Sequence, residues 1–309
     1  MVIDKTFTES VSVFKFAQNT LKQRLFQNLT RKALPVFLRA GDSIATDPSV
    51  FGYYEQPLIS FITHLNKQGL SDFLIDVGAN VGLISCQCGN LFSEVHMFEP
   101  NPIILKVLEV NSMLSIESKY RIHPYALSDI KGSAELTIPK NNWGGAHIDD
   151  HRNSYSESII LKKDNFTEKC EDNYFKLQIE VEEAIAKFSE LFSDLTAKNL
   201  TKGIIKIDVE GYEDAILKAL VKTIPPNFEL LIISESWNDG ASRNIVIDEF
   251  KHRSEIGKFS PHKDWWSSWK LLKIIQLILI GSYGFSARFG DEAGNHGDDL
   301  IWVKSERKT

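Results

Sequence analysis

The chain is short of cysteine, of long apolar runs and of basic charge, and each shortage removes a class of function. Three cysteines occur among 309 residues. So small and odd a number builds no disulfide framework, and Cys86-x-Cys88 is not the Cys-x-x-Cys spacing of zinc or redox sites. Cys86 and Cys88 fall in an apolar segment, where a free thiol behaves as a small hydrophobe, so buried thiols in a reducing, cytoplasmic compartment are expected. The longest apolar run, Leu271 to Ile280, is interrupted by Lys273 and Gln276 and is too short to span a bilayer. The first thirty residues interleave charge with apolar positions, which predicts no secretory leader. With 41 acidic against 35 basic residues and a net charge of −6, the chain has little with which to neutralise phosphates, and no nucleic-acid partner is expected. Internal repeats and low-complexity tracts are absent.

What is present is globular: 43% apolar and 25% charged residues. Residues 1–70 read as an N-terminal helical extension. Val11, Phe14, Leu21, Leu25 and Leu29 recur at helical steps, Leu34-Pro35 breaks the pattern, and Leu58 to Leu65 resumes it. This extension is expected to pack on the main domain, since it lacks the polar face rich in Lys and Arg that membrane-surface attachment would favour. From residue 71 to 309 short apolar strands (Asp72 to Val77, Val95 to Phe98, Arg121 to Leu127, Gly203 to Val209, Phe228 to Ser234, Gly284 to Arg288 and Asp299 to Val303) alternate with amphipathic helices. That alternation predicts an α/β fold, a mostly parallel sheet with helices on both faces. The stretch 140–175 interrupts it with polar sequence. Trp143 favours a functional lid there over a disordered loop, because a tryptophan needs a surface to rest on.

Three constellations carry the chemistry. Asp76-x-Gly78-x-x-x-Gly82 stands at a strand end, where glycines admit a ligand close to the backbone and the next helix offers free N–H groups. It is not the dinucleotide fingerprint G-x-G-x-x-G. Glu99 follows at the end of the second strand, placed to accept from two ribose hydroxyls or, as the structural alternative, to act as a first-turn helix acid. Lys206-Ile-Asp208-Val-Glu210-Gly-Tyr-Glu213 closes another buried strand. Ligands bind outside the carboxyl ends of such strands, so Asp208 and Glu210 should face the same crevice as Asp76 and Glu99. Lys206 and Asp208 share a strand face and could form a structural ion pair. So many carboxylates around one crevice require a cationic partner or a raised pKa.

These strings, with Phe98-Glu99-Pro100-Asn101 and Ala126-Leu127-Ser128-Asp129 between them, resemble the FkbM-type methyltransferases from about Gly52 to Val303. The resemblance implies a Rossmann-like class I methyltransferase fold with a seven-stranded, mostly parallel sheet, and S-adenosyl-L-methionine as cofactor. It implies that Asp76, Gly78, Asn80 and Gly82 form the turn holding the methionine portion and that Glu99, with Pro100 and Asn101, meets the ribose. Leu127, Ser128 and Asp129 would lie at the adenine end, and Glu235 at a position where the family also carries an acid. Gly144-Gly145 resembles a glycine-containing family loop, but the polar continuation after it is longer here.

The activity expected is O-methylation of a hydroxyl on a sugar, glycan or secondary metabolite, with the acceptor class supplied by the resemblance. Methyl transfer needs in-line alignment and a base for the hydroxyl proton. Asp208, Glu210 and His147 are the candidate bases. The two acids could instead hold a divalent metal, but hard cations want a larger oxygen cluster, so none is expected. His123, His262 and His296 show no ligand spacing, and the Trp265-Trp266-x-x-Trp269 cluster is expected to pack as core or interface. The rival readings are a nicotinamide-dependent oxidoreductase and a catalytically degenerate methyltransferase fold used as a binding module.

Overall fold

The computed structural model describes residues 13–150, 153–235, 246–261, 285–290 and 297–306. The Trp265, Trp266 and Trp269 cluster, His262, His296 and the run Leu271 to Ile280 lie outside the described residues. Three helices come first: α1 (Val13–Leu29), α2 (Thr46–Val50) and α3 (Gln56–Lys67). α1 forms where helical spacing predicted it, yet Leu21, Leu25 and Leu29 remain 69%, 58% and 48% exposed, so its apolar stripe does not pack on the described body as expected.

The nucleotide-fold rhythm then begins with β1 (Phe73–Val77), α4 (Leu83–Cys88), β2 (Glu94–Phe98), α5 (Pro102–Ser115) and β3 (Lys119–His123). All five residues of β1 are buried, as a strand covered on both faces must be. The chain next leaves the sheet to build β4 (Ala126–Ser128), β5 (Gly132–Pro139), β6 (His147–Ile148), α6 (Glu157–Asp164), β7 (Tyr174–Glu183) and α7 (Ala184–Ala197). It returns as β8 (Lys202–Ile207), α8 (Glu213–Thr223), β9 (Glu229–Ser234), β10 (Ser254–Pro261), β11 (Phe285–Phe289) and β12 (Asp298–Val303).

Among the described residues the main sheet has eight strands in the order β11-β10-β12-β9-β8-β1-β2-β3. Its five strands from β9 to β3 run parallel, and β12, β10 and β11 are antiparallel additions. The seven expected strands are thus joined by an eighth, β10, whose sequence Ser-Glu-Ile-Gly-Lys-Phe-Ser-Pro mixes Gly and Pro with charge and hides its period. The expected third strand is divided. Its first part is β3, and Ala126 to Ser128 belong instead to a second, four-stranded sheet, β4-β7-β5-β6.

Both faces of the main sheet are covered. Phe188, Leu191 and Leu195 of α7 and Ile216, Leu217 and Leu220 of α8 bury one face against Phe73, Ile75, Ile205 and Ile207. Leu58 and Ile62 of α3, Ile84 of α4 and Leu108 of α5 bury the other against Leu74, Val95, Met97 and Ile204. Among the described residues no helix is long and apolar enough to cross a membrane. Strand order reverses between β1 and β8, and the second sheet roofs that switch point through Leu136, Ile138, Ile148, Ile179 and Val181. Ile205, fully buried in the strand next to the switch point, tests the core directly. Ile205→Ala should lower stability by about 3 kcal/mol, read as a reduced urea midpoint at unchanged m-value.

Candidate active site

At the reversal the chain must turn tightly. Gly78 has φ +84°, and a Cβ there would run into the Asp208 carbonyl, so only glycine lets the β1 and β8 exits approach this closely. Backbone bonds lock the approach: the amides of Gly78 and Ala79 donate to Phe98 O at 3.0 Å, and that of Asp208 to Val77 O at 3.0 Å. Asn80 takes the left-handed conformation that Asn tolerates. The amides of Asn80 and Asn101 donate to the two Glu99 carboxylate oxygens at 2.9 and 2.8 Å. Glu99 therefore clamps the β1 turn to the β2 turn. Burial pushes its carboxyl up to about 7 although those two amides pull the other way.

Between these turns and the second sheet lies a cavity that opens to solvent. Of the predicted site residues, Gly78, Asn80, Glu99, Pro100, Leu127, His147, Asp208 and Glu210 line it. Asp76, Gly82, Asn101, Ser128 and Asp129 do not reach its wall. Asp76 is wholly buried behind the turn, taking a bond from Ser85 Oγ at 2.8 Å and facing Lys206 Nζ at 3.7 Å. Asn101 caps α5, its Oδ1 accepting from the Ile103 amide at 3.0 Å. Ser128 Oγ donates to Asp129 Oδ1 at 2.9 Å.

The ion pair foreseen at β8 forms, with Lys206 Nζ 3.0 Å from Asp208 Oδ2. β8 ends at Ile207, so both motif acids sit on the loop beyond it. Burial alone would raise Asp208, but the Lys206 ammonium, aided by Lys163, outweighs it and holds the carboxyl below its ordinary range. Glu210 differs. Burial, the Asp208 charge and Glu213 push it up to about 7 against the pull of Lys163. Its φ of +52° is a strained conformation for this side chain. Asn153 Nδ2 holds it by donating to Glu210 O at 3.1 Å, and the Glu213 carboxylate accepts from the Gly211 amide at 3.1 Å.

His147 is buried, not solvated as a polar-loop histidine would be. Its Nδ1 lies 3.1 Å from Gly145 O, and a carbonyl only accepts, so Nδ1 carries the proton and Nε2 presents a lone pair. Burial holds its pKa below the usual value. Nε2 and the Trp143 indole N–H have no hydrogen-bond partner among the described residues although both are buried. Trp143 lies on the cavity wall, under the Arg39 guanidinium at 4.5 Å and edge-on to Phe175.

Sequence reasoning missed Lys163. Its Nζ lies 2.5 Å from Glu210 Oε2 and 3.2 Å from Glu235 Oε2. No local motif marks it: it stands 47 residues before Glu210, on a polar helix of weak pattern. It missed Tyr212 as well, whose hydroxyl donates to Asp150 Oδ1 at 2.6 Å.

A model of the methyltransferase FkbM domain matches residues 76–267, more than half of the chain and all of these turns. The chain belongs to the FkbM methyltransferase domain family. Comparison with curated proteins finds no match. Similar solved structures include the precorrin-6Y C5,15-methyltransferase of Geobacter metallireducens, at 10% identity over 80% of this chain and 89% of that one, with a TM-score of 0.34. An rRNA methylase of Streptococcus thermophilus is similar at 7% identity over 81% and 97%, TM-score 0.36. The C-terminal domain of the precorrin-6Y C5,15-methyltransferase of Rhodobacter capsulatus is similar at 9% identity over 82% and 93%, TM-score 0.36. Likeness at this level carries no argument about the reaction. The family assignment rests on the sequence match.

In this FkbM domain the Lys206 ammonium lies between Asp76 and Asp208, 3.7 Å from the first and 3.0 Å from the second. Lys206→Met should remove the nearest cation from both acids and lower stability by about 3 kcal/mol or more, read by urea denaturation.

Proposed function

We propose that the protein is an S-adenosyl-L-methionine-dependent O-methyltransferase acting on a hydroxyl of a small-molecule or glycan acceptor. The observation that carries this reading is one cavity, at the sheet's switch point, lined together by Gly78, Glu99, Asp208 and Glu210 of the family's motifs. The residues suit such a cofactor. Each Glu99 oxygen spends one lone pair on a backbone amide and keeps another for a ribose hydroxyl. Leu127, Leu136 and Ile104 offer apolar wall for a base. Asp208, kept ionised by Lys206, faces the cavity as a negative charge that favours a sulfonium. Trp143 Nε1 and His147 Nε2, buried and without a hydrogen-bond partner among the described residues, belong to residues that line the cavity and suit a polar ligand group. The bound cofactor would supply an activated methyl on a good leaving group.

What the chain must add is alignment and removal of the acceptor proton. Glu210 is the base in this reading. Its carboxyl, near 7, is half ionised at neutral pH and a stronger proton acceptor than an ordinary carboxylate. Glu210 would take the acceptor's hydroxyl proton, and the bound cofactor would supply the methyl group. Asp208, held low, stays ionised and serves as the fixed counter-charge. The buried, free Cys86 and Cys88, their thiols pushed up by burial, fit work in the reducing cytoplasm.

Calorimetric titration with S-adenosylhomocysteine, with NAD and NADP as controls, tests the cofactor. Micromolar binding of the homocysteine product alone is expected, and binding of a nicotinamide nucleotide instead would overturn the reading. Glu99→Ala should weaken that binding by about 1–3 kcal/mol, and unchanged affinity in a folded variant removes the ribose role. Glu210→Gln should abolish transfer to any hydroxyl acceptor found by screening, sugars first, while product affinity stays within a few-fold. In the wild type the rate should fall about tenfold per unit below about pH 7, because protonated Glu210 cannot act as the base. A rate flat to pH 5 would exclude it.

A further inference from the structure

One charge in the site is not accounted for by the family's motifs. Asp208, Glu210 and Glu235 each present an oxygen, and these three atoms lie within 4.8 Å of one another, the spacing at which carboxylates share a divalent cation. Left alone, three such groups would repel, and a metal is the usual remedy.

Here the remedy is already built. α6 rises out of the polar stretch between β6 and β7 and places Lys163, whose side chain is 12% exposed, on this cluster. The ammonium touches Glu210 Oε2 at 2.5 Å and Glu235 Oε2 at 3.2 Å. The Tyr155 ring covers it at 5.2 Å. Burial opposes the charged lysine, but Glu210 and Glu235 outweigh it and hold the ammonium protonated above its ordinary range. A lysine without those two partners would tend to lose its proton when buried this deeply.

We propose that Lys163 is the resident cation of the Asp208–Glu210–Glu235 cluster. It fills the place a divalent metal would take and fixes the Glu210 carboxylate at the cavity wall, so that the acceptor hydroxyl is deprotonated without a metal. Its chemical meaning rests on the methyltransferase reading, whereas its place in the cluster does not. Lys163 is a positioning residue: it touches Glu210, which lines the cavity, and Glu235 beside it. Because α6 belongs to the long polar stretch, this stretch contributes a charge to the centre as well as a cover over it.

Mn²⁺, a hard cation suited to carboxylates, is the probe. The full chain, stripped with a chelator, is titrated calorimetrically at neutral pH. The wild type should give no heat up to millimolar Mn²⁺. Lys163→Ala should bind one Mn²⁺ at least about tenfold more tightly, and adding Glu235→Gln should remove the gain. Lys163→Arg, which keeps the charge, should remain silent. Should Lys163→Ala not fold, Lys163→Gln, which keeps a donor but no charge, must show the same gain. Wild-type binding that Glu235→Gln abolishes would overturn the proposal, and so would a folded, charge-free variant that stays silent. Absence of S-adenosylhomocysteine binding would defeat the cofactor assignment and leave these titrations untouched, so the two failures are distinguishable.

Discussion

The Lys206 ammonium, held between Asp76 and Asp208, is the interaction on which the site depends. It joins β1 to β8 at the one place where the order of the sheet reverses. Charges buried in this way are tolerated only as a set, since removing any member strands the others in a medium that solvates them poorly. The set explains why Asp76 matters without touching the cavity: it lies under the turn and holds the lysine that holds Asp208. Gly78 then lets the Asp208 carbonyl come close, and Glu99 ties the next turn to the same point through two amides. The cavity is what remains between three strand exits pulled together by one ion pair, one missing side chain and one buried carboxylate.

Much of this was legible in the sequence, for a definite reason. β1, β2, β8 and β9 are short apolar runs between helices, and strands buried on both faces admit little else. The motifs sit at their exits, so locating the strands located the acids. The rest is long-range. β10 carries Gly257 and Pro261, and its ladder is set by partners on β12 and β11 far along the chain. The division of the third strand reflects pairing of Ala126, Leu127 and Ser128 with Val181, Glu182 and Glu183 of β7, more than fifty residues on. Lys163 was illegible because nothing near it in sequence needs a cation. Its partners lie 47 and 72 residues further on. His147, a candidate base, has polar sequence neighbours that give no sign of its burial, and it is buried where β6 pairs with β5 at Thr137.

The two lysines divide the acids into two kinds. Lys206 is bound to an acid that stays ionised, so Asp208 keeps a fixed charge. Lys163 is shared between two carboxylates, and the Glu210 carboxyl still sits near 7 because burial and neighbouring acids more than offset what the ammonium gives it. One strand exit thus carries two carboxyl groups two residues apart, one held low and one raised to about 7, distinguished only by how each is compensated. Such separation of neighbouring carboxyl groups by environment is how a fold supports acid–base chemistry at neutral pH.

The backbone of Glu210 makes the division dependent on the polar stretch. A non-glycine residue at φ +52° is held in that state only where its surroundings over-determine it. Three of those constraints come from one short segment: Asn153 on the Glu210 carbonyl, Tyr155 on Glu213, and Lys163 on the Glu210 carboxylate. The Glu213 carboxylate passes the second of them back to Gly211, whose amide it accepts. The strain at Glu210, its charge balance and the roof of the cavity therefore share one origin. A change that shifted this segment would alter all three together, although no residue of it belongs to the strand exits that define the fold.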